Sequence, residues 1–139
     1  MDVMKFQAEI VKNPAIWKWD YDKEEEIVYF SDSAMIRQIP VRECLLDLSK
    51  FEQTDCIKWF QDEGDWPEVK PTKLRLKETG YTAIQLEGEG YKCWINESYY
   101  KIFKKYQLEY NGGDYVKVRH PSTLEIVAVI GKMKVSTTV

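Results

Sequence analysis

The chain has 139 residues, 44% of them apolar and 14% aromatic, which supports one folded domain and excludes a multi-domain machine. Twenty Lys and Arg against twenty-three Asp and Glu leave a net charge of -3, which excludes adhesion to nucleic acid by bulk charge but not a local basic face. Met1 to Lys5 lack a basic start leading into an apolar run, and no stretch approaches the roughly 18 apolar residues of a membrane span, so a cytoplasmic protein without membrane contact is expected.

Val3, Phe6 and Ile10 recur at helical spacing, with Met4 and Val11 widening the stripe, so residues 2–13 are expected to form a short amphipathic helix closed by Pro14. From Ile16 the period becomes two. Trp17, Trp19 and Tyr21 alternate with Lys18 and Asp20, and a polar turn leads to Ile27-Val28-Tyr29-Phe30, a β-hairpin with its aromatics on one core-facing side. A turn at Ser31-Asp32-Ser33 and a third strand over 34–39 follow. Cys44 to Leu48 is too short and apolar to assign by period, and 54–61 reads as one or two helical turns with Ile57, Trp59 and Phe60 partly buried. Beyond an acidic loop, order is expected to resume at Pro71 with three strands, the first placing Leu74 and Leu76 between charged residues and the others covering 81–86 and 91–95. Asn96 is a good N-cap for a helix over 97–106, with Tyr99, Ile102, Phe103 and Tyr106 on one side and Lys101, Lys104 and Lys105 opposite. Strands over 107–110 and 115–119 flank Asn111-Gly112, and a β-branched strand from Leu124 to Ile130 closes the pattern.

Segments 2–40 and 96–135 thus share one order, a helix followed by three strands. A shift of 89 positions lays Trp17, Trp19 and Tyr21 on Tyr106, Leu108 and Tyr110, and Ile27 and Tyr29 on Val116 and Val118. Chance alternation in two half-buried hairpins produces such a match as readily as duplication does. The expected fold class is α+β, antiparallel sheets with two amphipathic helices, arranged as pseudo-duplicated helix-and-three-strand units within a single domain, 1–139.

Such a plan resembles one domain of the DNA sliding clamps of phage and bacterial type. Three short runs resemble clamp segments as well: Ile27-Val28-Tyr29-Phe30-Ser31-Asp32, Leu45-Leu46-Asp47-Leu48, and Ile130-Gly131-Lys132-Met133-Lys134-Val135. The last is similar to the Met-Pro-Met-Arg-Leu ending of bacterial clamps, with Gly131 and Lys132 where Met and Pro would stand. The resemblance implies a phage- or mobile-element-encoded accessory protein in DNA replication or related transactions. It also implies contact with the DNA backbone without sequence preference, and a homo-oligomer, since one such domain cannot encircle a duplex.

A clamp needs cations on its helices, facing phosphate. Lys101, Lys104 and Lys105 meet that need on the second helix, and Lys5 and Lys12 on the first, although Glu97 dilutes the charge and any solvated helix shows a similar face. The rival reading is a monomeric interaction or inhibitor module. It would hold a host or replication protein through the acidic loop of Asp62, Glu63 and Asp65 with Trp66, the aromatic most expected to be exposed. That loop lacks calcium-loop spacing, and no phosphate-binding glycine motif or nucleophile elbow occurs, so neither metal nor cofactor is expected. Cys44, Cys56 and Cys93, widely spaced beside a single histidine, His120, read as reduced packing thiols rather than a zinc site or a Cys-His nucleophile pair. A non-enzymatic protein is expected.

Overall fold

The computed structural model describes residues 3–60 and 66–134. The fold is α+β and mostly antiparallel, and the chain divides into two compact units, Met1–Glu63 and Gly64–Val139.

In the first unit, α1 (Val3–Lys12) precedes β1 (Lys18–Asp22), β2 (Ile27–Ser31) and β3 (Met35–Pro40), an antiparallel meander. A two-residue strand, β4 (Glu52–Gln53), adds to β1 in parallel. α1 buries Phe6 and Ile10 as their spacing dictates, but Met4 and Val11 are exposed and Gln7 takes the third inward place. Gln7 is tolerated there because both ends of its amide find a partner: Nε2 donates to the Glu43 carbonyl at 2.8 Å and Oε1 accepts from the Leu45 amide at 2.7 Å. One side of the meander carries Phe30 and Ile39, both fully buried, with the Phe51 ring edge-on to Phe30 at 5.6 Å. Each such side chain stabilises the unit by about 1.5–3 kcal/mol. The other side carries Tyr29, Ile36 and Cys56, with Ile27, Ile57 and Phe60 packed against them. Between β3 and β4 the chain makes 3-10 turns at Val41–Glu43 and Leu48–Lys50, and another follows at Ile57–Trp59, one turn where one or two were expected.

In the second unit the strands are β5 (Glu68–Glu78), β6 (Tyr81–Gly88), β7 (Tyr91–Asn96), β8 (Gln107–Glu109), β9 (Tyr115–Arg119) and β10 (Ile126–Gly131), with α2 (Glu97–Ile102) between β7 and β8. They lie in the order β10-β9-β8-β5-β6-β7, and every pair is antiparallel. β5 begins three residues before Pro71 rather than after it. It pairs with β8 at its start and with β6 beyond, and its register shifts between Pro71 and Arg75, where a proline that cannot donate is tolerated. Leu74, one of the two leucines that alternate with charged residues here, sits at this irregularity and is 56% exposed. Where β6 passes the start of β5, a Cβ on Gly88 would run into the Glu68 carbonyl, so only glycine fits. Glu89 and Gly90 then turn the chain with positive φ at both positions, as a two-residue hairpin requires.

Helix, strand, strand, strand therefore occurs once in each unit, as α1-β1-β2-β3 and as α2-β8-β9-β10. α2 is shorter than its apolar spacing suggested. It ends at Ile102, because Phe103 leaves helical geometry and is fully buried, its carbonyl accepting from the Tyr106 amide at 2.9 Å. Ile102, expected on the inner face, is exposed.

Candidate functional site

The charges divide unevenly between the units. Residues 1–63 hold fourteen acidic and eight basic residues, net -6, and residues 64–139 nine acidic and twelve basic, net +3. The basic residues of the second unit include the three expected to meet phosphate. Asn96 caps α2, its side chain accepting from the Ser98 amide at 2.9 Å, and sets Glu97 in the first turn. Glu97 takes Arg75 at 2.8 Å and Lys101 at 3.8 Å, so one of the three lysines is partly neutralised within its own helix. Lys104 and Lys105 lie in the turn that follows, exposed and in no ion pair among the described residues. Lys5 and Lys12 are exposed on α1 of the first unit, Lys12 at 3.7 Å from Glu9. The five lysines thus form two groups, one per unit.

Asp62, Glu63 and Asp65 lie outside the described residues. Trp66 is half-buried, which corrects its expected exposure. Its ring packs on Tyr115 with centroids 5.5 Å apart and covers Lys117, whose Nζ lies 4.0 Å from the ring centre. Lys117 is 0% exposed, and a desolvated cation under an indole face is a strong reason for the ring to stay down.

Beside it runs a charged row that alternation hid. Glu109, paired in register with Lys117, is 4% exposed and accepts two hydrogen bonds from Arg119, at 2.9 and 3.1 Å, and one from Gln107 at 2.8 Å. Glu109 and Lys117 are buried on one side of β8 and β9, with Gln107 and Arg119 half-buried beside them, while Leu108, Val116 and Val118 are buried on the other side. Nothing local in the sequence marked them as interior, since opposite charges at paired hairpin positions are as common on a solvated face.

Two of the three cysteines, Cys56 and Cys93, are buried, and His120 closes a turn. Nδ1 of His120 accepts from the amides of Ser122 and Thr123 at 3.1 and 3.2 Å, closing the turn before β10. Burial pushes the Cys56 thiol from 9.0 to about 12, with the Asp20 and Asp55 carboxylates adding to it. Burial does the same at Cys93, from 9.0 to about 12, against a small opposing pull from Lys132. A thiol held protonated is a poor nucleophile. Both protons are bound more tightly in the folded chain than in the unfolded one. Their contribution to stability is therefore complete below about pH 9 and lost as pH rises through about 12. Denaturation midpoints are expected to fall across that window, and iodoacetamide at pH 8 is expected to alkylate half-buried Cys44 at least about tenfold faster than the other two. Equal alkylation rates by mass spectrometry would contradict the assignment.

Among the described residues no group of His, Cys, Asp and Glu is arranged to hold a metal ion, and no helix is long and apolar enough to cross a membrane. The chain matches no protein-family model, no curated protein and no solved structure.

Proposed function

We propose that the protein is a non-catalytic accessory factor in DNA transactions, built on a clamp-like duplicated plan and acting in the cytoplasm on the DNA backbone. The observation that carries this is the segregation of charge. A chain of net charge -3 concentrates a surplus of +3 in one unit, where Lys104 and Lys105 stand exposed without carboxylate partners among the described residues. The repeated helix-and-three-strand order is compatible with the clamp plan. Compact ammonium groups on flexible stems recognise phosphate as point charges, so binding would be indifferent to sequence and steeply weakened by salt.

The test is the triple variant K101E/K104E/K105E, measured against a random-sequence duplex over a salt series. Affinity at low salt is expected to fall at least about tenfold, and the slope of log K against log salt to lose about 2–3. Affinity and slope both unchanged would reject the basic-face reading.

A further inference from the structure

Trp19, Tyr21 and Val28 on β1 and β2, with Val41, Leu46 and Leu48 on the segment crossing them, enclose an open cleft of about 340 Å³. The volume lies within the range of ligand sites. Its wall is held at several points along the chain. The Val41 amide donates to the Glu26 carbonyl at 2.9 Å, Gln7 grips Glu43 and Leu45, and Trp19 Nε1 donates to the Phe51 carbonyl at 3.1 Å. The intervening 46–48 span is thereby kept over the sheet, a pre-formed opening whose ordering need not be supplied on binding. Leu45, beside it, is 72% exposed.

The flanking residues are acidic. Asp22, Glu24, Glu25 and Glu26 form the turn next to Tyr21 and Val28, and Glu43 and Asp47 interrupt the apolar wall, against only Lys23 and Arg42. None of these six carboxylates is in an ion pair among the described residues. The second unit presents the complementary chemistry. Lys70 to Lys77 carries no carboxylate, and although its Arg75 is held by Glu97 its three lysines are in no ion pair among the described residues; from its middle, at the register shift of β5, Leu74 projects 56% exposed between Lys73 and Arg75.

We propose that the cleft of one copy receives the Leu74 segment of a second copy, with the acidic rim against its flanking lysines. The two surfaces differ, so copies either make the contact twice around a two-fold axis or pass it on in a ring or an open chain. It deepens the accessory-factor reading, which calls for self-association, yet stands apart from it because no DNA takes part.

The experiment is light scattering on the full chain over a concentration series without DNA, at low and high salt. Mass is expected to rise above the 16.5 kDa monomer with concentration and to fall back with salt. L74E, on an exposed position, is expected to hold the chain at monomer mass, as is E24K/E25K on the exposed turn. K73E/K77E combined with E24K/E25K is expected to restore association, while K101E/K104E/K105E leaves it unchanged. A monomer at every concentration, association indifferent to L74E and E24K/E25K, or association abolished only by K101E/K104E/K105E would overturn the proposal. A monomer that captures a synthetic lysine-flanked leucine peptide would assign the cleft to another basic partner and overturn it equally.

Discussion

Replacing Glu109 by alanine is expected to lower the free energy of unfolding by about 3–5 kcal/mol, among the largest effects of any single substitution in this chain. The carboxylate is 4% exposed and is the acceptor for Arg119 and Gln107, and it faces Lys117 across the β8–β9 pair. Without it, two cations remain in a largely desolvated row, and Arg119, which also donates to the Leu124 carbonyl at 2.6 Å, loses its planar bidentate partner. Glu109→Gln keeps the shape and some of the hydrogen bonds but not the charge, so it should fall between wild type and alanine. Replacing Glu109 and Arg119 together by methionine should lose less than Glu109→Ala, since Arg119 is then not left unpaired, while Lys117 still lacks the carboxylate opposite it. Urea denaturation reads all three. A loss under about 1 kcal/mol for Glu109→Ala would mean that water reaches the row.

Asp20→Ala is expected to be nearly as severe, at about 2–4 kcal/mol, but local in its consequences. Asp20 Oδ2 accepts from the Cys56 and Ile57 amides at 2.9 and 3.1 Å, and Oδ1 from the Tyr21 amide at 2.8 Å. These charge-assisted bonds fasten the segment around Cys56 onto β1, and their loss strands two amides that other groups do not reach. Hydrogen exchange at Cys56 and Ile57 should accelerate well beyond that of β6, and Cys56 should become open to alkylation. Uniform acceleration across the chain would show instead that the substitution acts on global stability alone.

Asp20 also shows how far the sequence could be read. Alternation correctly grouped Trp17, Trp19 and Tyr21 apart from Lys18 and Asp20, but the inference that the aromatic side was the covered one held only in part. Trp19 is half-buried, Tyr21 is exposed at the cleft, and Asp20 is buried under the 54–60 segment. Both sides of β1 have something laid on them, so a two-fold period cannot name an inside. The same holds for β9, where Val116, Lys117 and Val118 are all buried in succession. Leu74 fails in the opposite direction: a single irregularity after Pro71 puts a residue of the apolar alternation out of the core.

The candidate sites divide similarly. Lys101, Lys104 and Lys105 were legible as a cluster within five residues, but the helical face expected to group them stops at Ile102, and Lys104 and Lys105 follow in the turn. The apolar cleft was not legible, because its two walls come from β1–β2 and from 41–48, a stretch with no period of its own. Trp66 was misread because its partners, Tyr115 and Lys117, lie about fifty residues further along.

By itself the sequence determined the α+β class, the order of helix and strands apart from the short β4, the turn at Gly88-Glu89-Gly90 and the cap at Asn96. All of these rest on interactions between residues a few positions apart, where periodicity and local backbone preference act. Only the tertiary structure decided which polar groups go inside, as Gln7, Asp20, Glu109 and Lys117 do, and which apolar ones stay out, as Met4, Leu74 and Ile102 do. Gln7 and Asp20 find their hydrogen-bond partners 36 to 38 residues away. A buried polar group is tolerated only when such a partner arrives, and its arrival depends on how distant segments close on one another rather than on any local pattern.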